Sequence, residues 1–267
     1  MVKTSNAGAA GVSGKLALSS GTTTDGPSGH ISLSTGKSTQ GKGGDLLIML
    51  GKGADDQAPK GGDMYVTTGD SQPLTGGAIS VATGEGTATS SGGIVLRTAN
   101  AGISGVSGSI SFMTGTASKG SSGSITMSTG AATEGKGGDM IVTAGVNWEQ
   151  GNTFDGGSIL MTAGESTSLS TSGGKVAITA GAGSNVDDGH GGAIEITGGR
   201  GEDLTGGAIA WTTGYGTSST SGAVTMQTVN AGTSGVSGSL TFTSGTASRG
   251  SSGSFTFGTG DATHGKG

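Results

Sequence analysis

The stretch Gly123-Ser124-Ile125-Thr126-Met127-Ser128-Thr129-Gly130 constrains the fold more than any other feature, because it recurs from one end of the chain to the other. Its frame is glycine, any residue, apolar, small polar, apolar, small polar, threonine, glycine. Sixteen copies align. We call the first apolar position a and the second, two residues on, b. Position a runs from Leu16, Ile31 and Leu46 to Leu240 and Phe255, and b from Leu18, Leu33 and Ile48 to Phe242 and Phe257. Both are apolar in all 16 copies, and glycine stands two residues before a in all 16, from Gly14 to Gly253. Three residues after b there is glycine in 14 copies, the exceptions being Ala99 and Val229.

Apolar residues two apart follow the period of a strand, in which alternate side chains share a face. Glycine makes up 61 of 267 residues, a density that would cost a helix roughly 1 kcal/mol per glycine. Charged residues are 12% and aromatics 3%, values common in disordered chains, but here the apolar positions are strictly placed. Successive a positions are 15 to 19 residues apart, most often 15. Hairpins in a meander would reverse every second run, and nothing would then require one residue type per column. Stacked coils require it, because each side chain lies on its equivalent. The expectation is therefore an all-β fold, a parallel β-solenoid (β-helix) of about 16 coils and roughly 75 Å in length. The pattern leaves handedness open, with a lean to right-handed crossovers. The a and b side chains would fill the interior against a small-residue wall of Ser38, Ala117, Ala132, Ala247 and Ala262. The residue two after b, usually Thr or Ser as at Thr35, Thr83 and Thr129, would form an inner column whose hydroxyls bond along the rod.

A longer period overlies the coils. Asn-Ala-Gly recurs at Asn6, Asn100 and Asn230, each time followed by Gly-Val-Ser-Gly, and residues 75–137 recur with many identities at 205–267. Residues 1–267 read as one array with units 6–99, 100–229 and an incomplete 230–267. Val2-Lys3-Thr4-Ser5-Asn6 aligns with Leu96-Arg97-Thr98-Ala99-Asn100, so the chain begins inside a run, and it stops at Gly265-Lys266-Gly267 without a capping coil. It is expected to be a segment of a longer repeat protein.

Other features narrow the function. A net charge of −5 gives no electrostatic reason to bind nucleic acid, and no Lys/Arg run marks a membrane surface. There is no cysteine, hence no disulfide framework, and no stretch of 18 apolar residues. Catalysis has little support. His30, His190 and His264 are in or beside turns without zinc-ligand spacing, and neither a nucleophile elbow nor a P-loop is present. Neither an enzyme nor a cofactor is expected.

Three sets of residues are candidate sites. The outward hydroxyls, such as Ser32/Ser34, Thr126/Ser128 and Thr241/Thr243, could order water as an ice-binding face, though Tyr65, Arg97 and Glu195 interrupt it; strand propensity alone also accounts for them. Leu47, Met49, Ile141 and Leu160 are outward and apolar, and could pack laterally on another copy. The longer coils carry Trp148, Phe154, Asp155, Asp187, Asp188 and His190 between Gly145 and Gly192. Aromatic and acidic groups there could grip a sugar, and acids with loop carbonyls could hold Ca²⁺; a decorated loop lying on its own coil is the plainer reading. Asp45, Asp63 and Asp139, each after Gly-Gly, lack the spacing of calcium β-roll repeats and read as turn formers.

At the level of Gly123–Gly130 the chain resembles the Gly/Ser/Thr-rich repeats of large extracellular and cell-surface proteins, including those of algae such as diatoms. The resemblance covers all 16 coils and implies a secreted structural or adhesive role, with no catalytic or binding residue carried over. The expected function is a structural repeat protein. It would form a stiff rod or fibre, an extracellular coat, filament or adhesin component, self-assembling by coil stacking or lateral packing. Its expected partners are other copies of the repeat, with glycans a further option. The alternative is a ligand-binding solenoid, for ice through the hydroxyl faces or for carbohydrate through the 146–191 loops.

Overall fold

Each repeat divides at its glycines into a straight run and a loop. The computed structural model describes residues 1–8, 11–53, 60–72, 74–147, 154–185, 187–202 and 204–261. The chain falls into two units, Met1–Met127 and Ser128–Gly267, built from the same two parts. A run starts at the glycine before a and ends at the position three after b, and no turn or bend interrupts it. The bends lie in the loops, for example at 24–26, 39–41 and 87–89 in the first unit and 133–135, 217–219 and 248–250 in the second. In five loops the last bend residue is a glycine with positive φ, as at Gly120 (φ 108) and Gly250 (φ 113), a conformation that side-chain-bearing residues rarely adopt.

The loops close on themselves. In the first unit the glycine before a donates its N–H to the turn glycine of the preceding run at Gly62–Gly51 (3.0 Å), Gly77–Gly69 (3.0 Å) and Gly92–Gly84 (3.1 Å). In the second unit the same bond joins Gly157–Gly145 (2.8 Å), Gly174–Gly164 (2.8 Å), Gly192–Gly181 (2.9 Å), Gly207–Gly199 (2.8 Å) and Gly222–Gly214 (2.9 Å). The extra residues of all four longer repeats fall inside the loop and leave this closure intact. Beside it, the residue two after b packs on the glycine before the next a. A Cβ at Gly77 would stand 3.0 Å from the Cβ of Thr68, and one at Gly14 or Gly44 would stand 3.1 Å from Thr4 or Thr35. The approach is tight in ten of the 16 repeats and is ordinary contact, at 3.5–3.6 Å, in the other six, such as Gly29 and Gly123. Among the described residues, seven of the nine that are half-buried, including Thr98, Ala144, Ala163, Ala180 and Thr213, occupy the position two after b.

The parallel β-solenoid expected from the sequence is not what forms. Among the described residues there is neither strand nor helix. Their backbone hydrogen bonds number nine, eight of which are the loop closures, whereas compact folds make roughly one per residue. These closures join only the end glycine of one run to the first glycine of the next, and none of the nine pairs the bodies of two runs. The physical reason lies in the loops: eight of them bond the end of one run to the start of the next over 8 to 12 residues, as from Gly69 to Gly77 or Gly145 to Gly157, so those donors and acceptors are spent locally. No apolar residue is buried among those described. Ser38, Ala117, Ala132 and Ala247 are exposed and form no wall, and Ala262 lies outside the described residues. The threonine column does not bond along an axis either. Thr35 donates instead to the Gly44 carbonyl across its own loop, at 3.0 Å.

The alternation of the runs is nonetheless visible in exposure. The triplet at 140–142 shows it well: Met140 is 54% exposed, Ile141 82% and Val142 66%. Positions a and b share the better covered side, and the residue between them points away. Where two aromatic runs meet, b of one touches a of the next: Phe242 and Phe255 stack at 5.9 Å, and Phe257 meets Phe255 edge-on at 4.5 Å.

Candidate functional site

The loops singled out for recognition are ordered by short-range polar bonds. In the 145–157 loop, Asn147 Nδ2 donates to the Phe154 carbonyl at 2.9 Å, tying the two sides together below the glycine closure. Phe154 and Asp155 are exposed. Trp148 lies outside the described residues. In the 164–174 loop, the Ser166 and Thr171 hydroxyls share a hydrogen bond and Thr171 donates to the Ser168 carbonyl at 2.9 Å. Ser170 there has φ 59, the left-handed conformation in a residue other than glycine.

The 181–192 loop turns on Asn185. Its side-chain oxygen accepts from the Asp187 N–H at 3.0 Å, an Asx turn, and its carbonyl accepts from the Gly189 N–H at 3.1 Å. This turn sets Asp188 Oδ1 3.7 Å from His190 Nε2, with both side chains in solvent. The pair is local to one loop. Among the described residues no hydrogen bond or ion pair links Asp155, Asp187, Asp188 or His190 to a second loop. Among the described residues no three acidic, histidine or cysteine side chains gather as a metal site, and no pocket opens. Phe154, Asp155, Asp187, Asp188 and His190 are thus brought to loop surfaces without being brought together.

The runs hold the other candidates. Leu47 and Met49 are 74% and 77% exposed, and Leu160 is 89% exposed. With Ile141 they are outward and uncovered, as sequence alternation requires. In the Leu46–Leu50 run, Leu46, Leu47, Ile48, Met49 and Leu50 are all exposed, so both faces of one run are apolar.

One recurring group escaped sequence reasoning. Asp45 and Asp139 are not turn formers: each stands beside the first apolar residue of a run and pairs with the lysine three residues earlier. Lys42 Nζ lies 2.8 Å from Asp45 and Lys136 Nζ 2.7 Å from Asp139. Asp63 accepts instead from the Tyr65 hydroxyl at 3.4 Å. The spacing Lys-Gly-Gly-Asp was a partial signal, since two glycines let a lysine fold back over a short span, but Lys60-Gly61-Gly62-Asp63 has it too and Asp63 meets Tyr65. A second missed pattern concerns the four longer loops. The position two after b, commonly Thr or Ser, is Leu50, Ala144, Ala163 or Ala180 before them.

Compared with family models, with curated proteins and with solved structures, the chain matches none.

Proposed function

We propose that the protein is a structural repeat protein whose copies associate laterally through their runs into an extracellular coat, filament or adhesin component. One observation carries this reading. The two apolar columns that repeat without exception are left in water by the single chain, from Leu16 and Leu18 to Phe255 and Phe257. Accessible surface totals 26741 Å², against roughly 10,000 Å² for a compact fold of this mass. Exposed apolar side chains in such number favour association, and a repeated chain offers the same pair of residues many times over, so weak contacts add. The Gly/Ser/Thr-rich composition supports an extracellular setting through the resemblance noted above.

The carbohydrate and ice readings gain less. The loop residues are not assembled, and the hydroxyl positions are set on separate runs with no ladder to hold them in a lattice. Negative-stain electron microscopy across a concentration series tests the proposal. Fibres or laterally packed arrays that appear as concentration rises are the expected result; isolated chains at every concentration would overturn it.

A further inference from the structure

We infer that the Leu46–Leu50 run is where copies of this chain first join, by pairing antiparallel with the same run of a second copy so that Asp45 faces Lys52. The inference rests on the self-association reading and names its contact. Three observations single out this run. It is the longest uninterrupted apolar stretch of any run, with Leu46, Leu47, Ile48, Met49 and Leu50 all exposed. Among the described residues no backbone N–H or C=O of this run has a backbone partner, so a ladder edge is open there. Its two ends carry opposite charges, Asp45 before it and Lys52 after it, and both are exposed.

The charges choose the partner and its direction. A parallel, in-register pair would set Asp45 against Asp45 and Lys52 against Lys52, and like charges directly opposite destabilise a sheet. An antiparallel pair places Asp45 of one copy opposite Lys52 of the other at both ends. Gly51 then faces Leu46, Leu50 faces Leu47, and Met49 faces Ile48. Directly opposed residues point to the same side of a sheet, so in this register the two copies present opposite faces. No two-fold axis closes such a pair, and pairing therefore continues from copy to copy rather than stopping at two. The bond between Lys42 and Asp45 is no obstacle, because an exposed carboxylate can accept from two lysines and the intrachain pair is worth little.

The test uses charge reversal in the full chain, read by sedimentation velocity at low ionic strength. Lys52→Asp alone and Asp45→Lys alone each set like charges against each other and should raise the concentration at which assemblies appear by about tenfold. A one-to-one mixture of the two variants restores both opposite-charge pairs and should assemble near the wild-type concentration. Asp139→Lys, which breaks the equivalent intrachain ion pair elsewhere, should leave assembly unchanged. If the wild type assembles but the single variants assemble equally well, or the mixture is no better than its components, the run pairing is wrong while self-association stands. Assembly that stops at a dimer would overturn the register. Stronger assembly of Asp45→Asn/Lys52→Gln than of wild type would show the charges to be guards against pairing, and would also overturn it. A wild type that stays single at every concentration removes the functional proposal itself.

Discussion

At the scale of single residues, the glycine before the apolar pair is held by contact rather than by backbone freedom in most repeats, most tightly at Gly77. The Cβ that Gly77 lacks would stand 3.0 Å from Thr68, while one at Gly93 would meet nothing within 4 Å. Gly77→Ala should therefore weaken the Gly77–Gly69 closure by about 1 kcal/mol, roughly a fivefold rise in amide exchange at residue 77. Gly93→Ala is the matched control and should leave that amide unchanged. The lysine–aspartate pairs work on a smaller scale. Both partners are exposed, so Asp139→Asn should change local protection near residue 138 by less than about 1 kcal/mol, with the difference vanishing at high salt. A larger effect in amide exchange would mean that the pair holds the run in place.

At the scale of the element, the division into runs and loops was legible in the residues, and the way runs relate was not. Ile125 and Met127, two apart between Gly123 and Gly130, announce a straight segment with two unlike faces, and exposure at Met140, Ile141 and Val142 follows that alternation. The mapping of insertions to loops was legible too, from the spacing alone. What one sequence does not encode is whether the next run lies on the last. Identical columns satisfy stacking within a chain and association between chains equally well, since both set like residues together. The contact that decides locally, Thr68 against Gly77, joins two positions whose coupling is visible only once the loop is closed. The loop candidates depend on the same point: only stacked coils would set Phe154, Asp155, Asp187, Asp188 and His190 on one stretch of a rod, and the bonds seen at Asn147 and Asn185 each stay within one loop. Closure should be independent of loop length. Deleting Leu169 and Ser170 brings the 164–174 loop to the common length and removes its left-handed serine. The Gly174 amide should stay protected to within a factor of about two in hydrogen exchange, since the Gly174–Gly164 bond uses neither residue. Loss of protection would show that the longer loops depend on their own internal bonds.

At the scale of the whole molecule, so much surface is already in water that unfolding a single chain exposes little more. Urea should therefore act on dilute protein with a shallow, weakly cooperative transition, because the slope scales with newly exposed area. Concentrated, assembled protein should show a steeper transition and a midpoint that rises with concentration. A steep transition in dilute solution would mean that the runs are covered within one chain. The closed loops have another consequence. Because the glycine pair at each neck meets in the same way whether 7 or 11 residues lie between, as in Gly69–Gly77 and Gly145–Gly157, the necks act as sockets. Foreign peptides spliced between such a pair would be displayed outward without disturbing the rhythm of what flanks them, and natural gains and losses of sequence would collect at the same points.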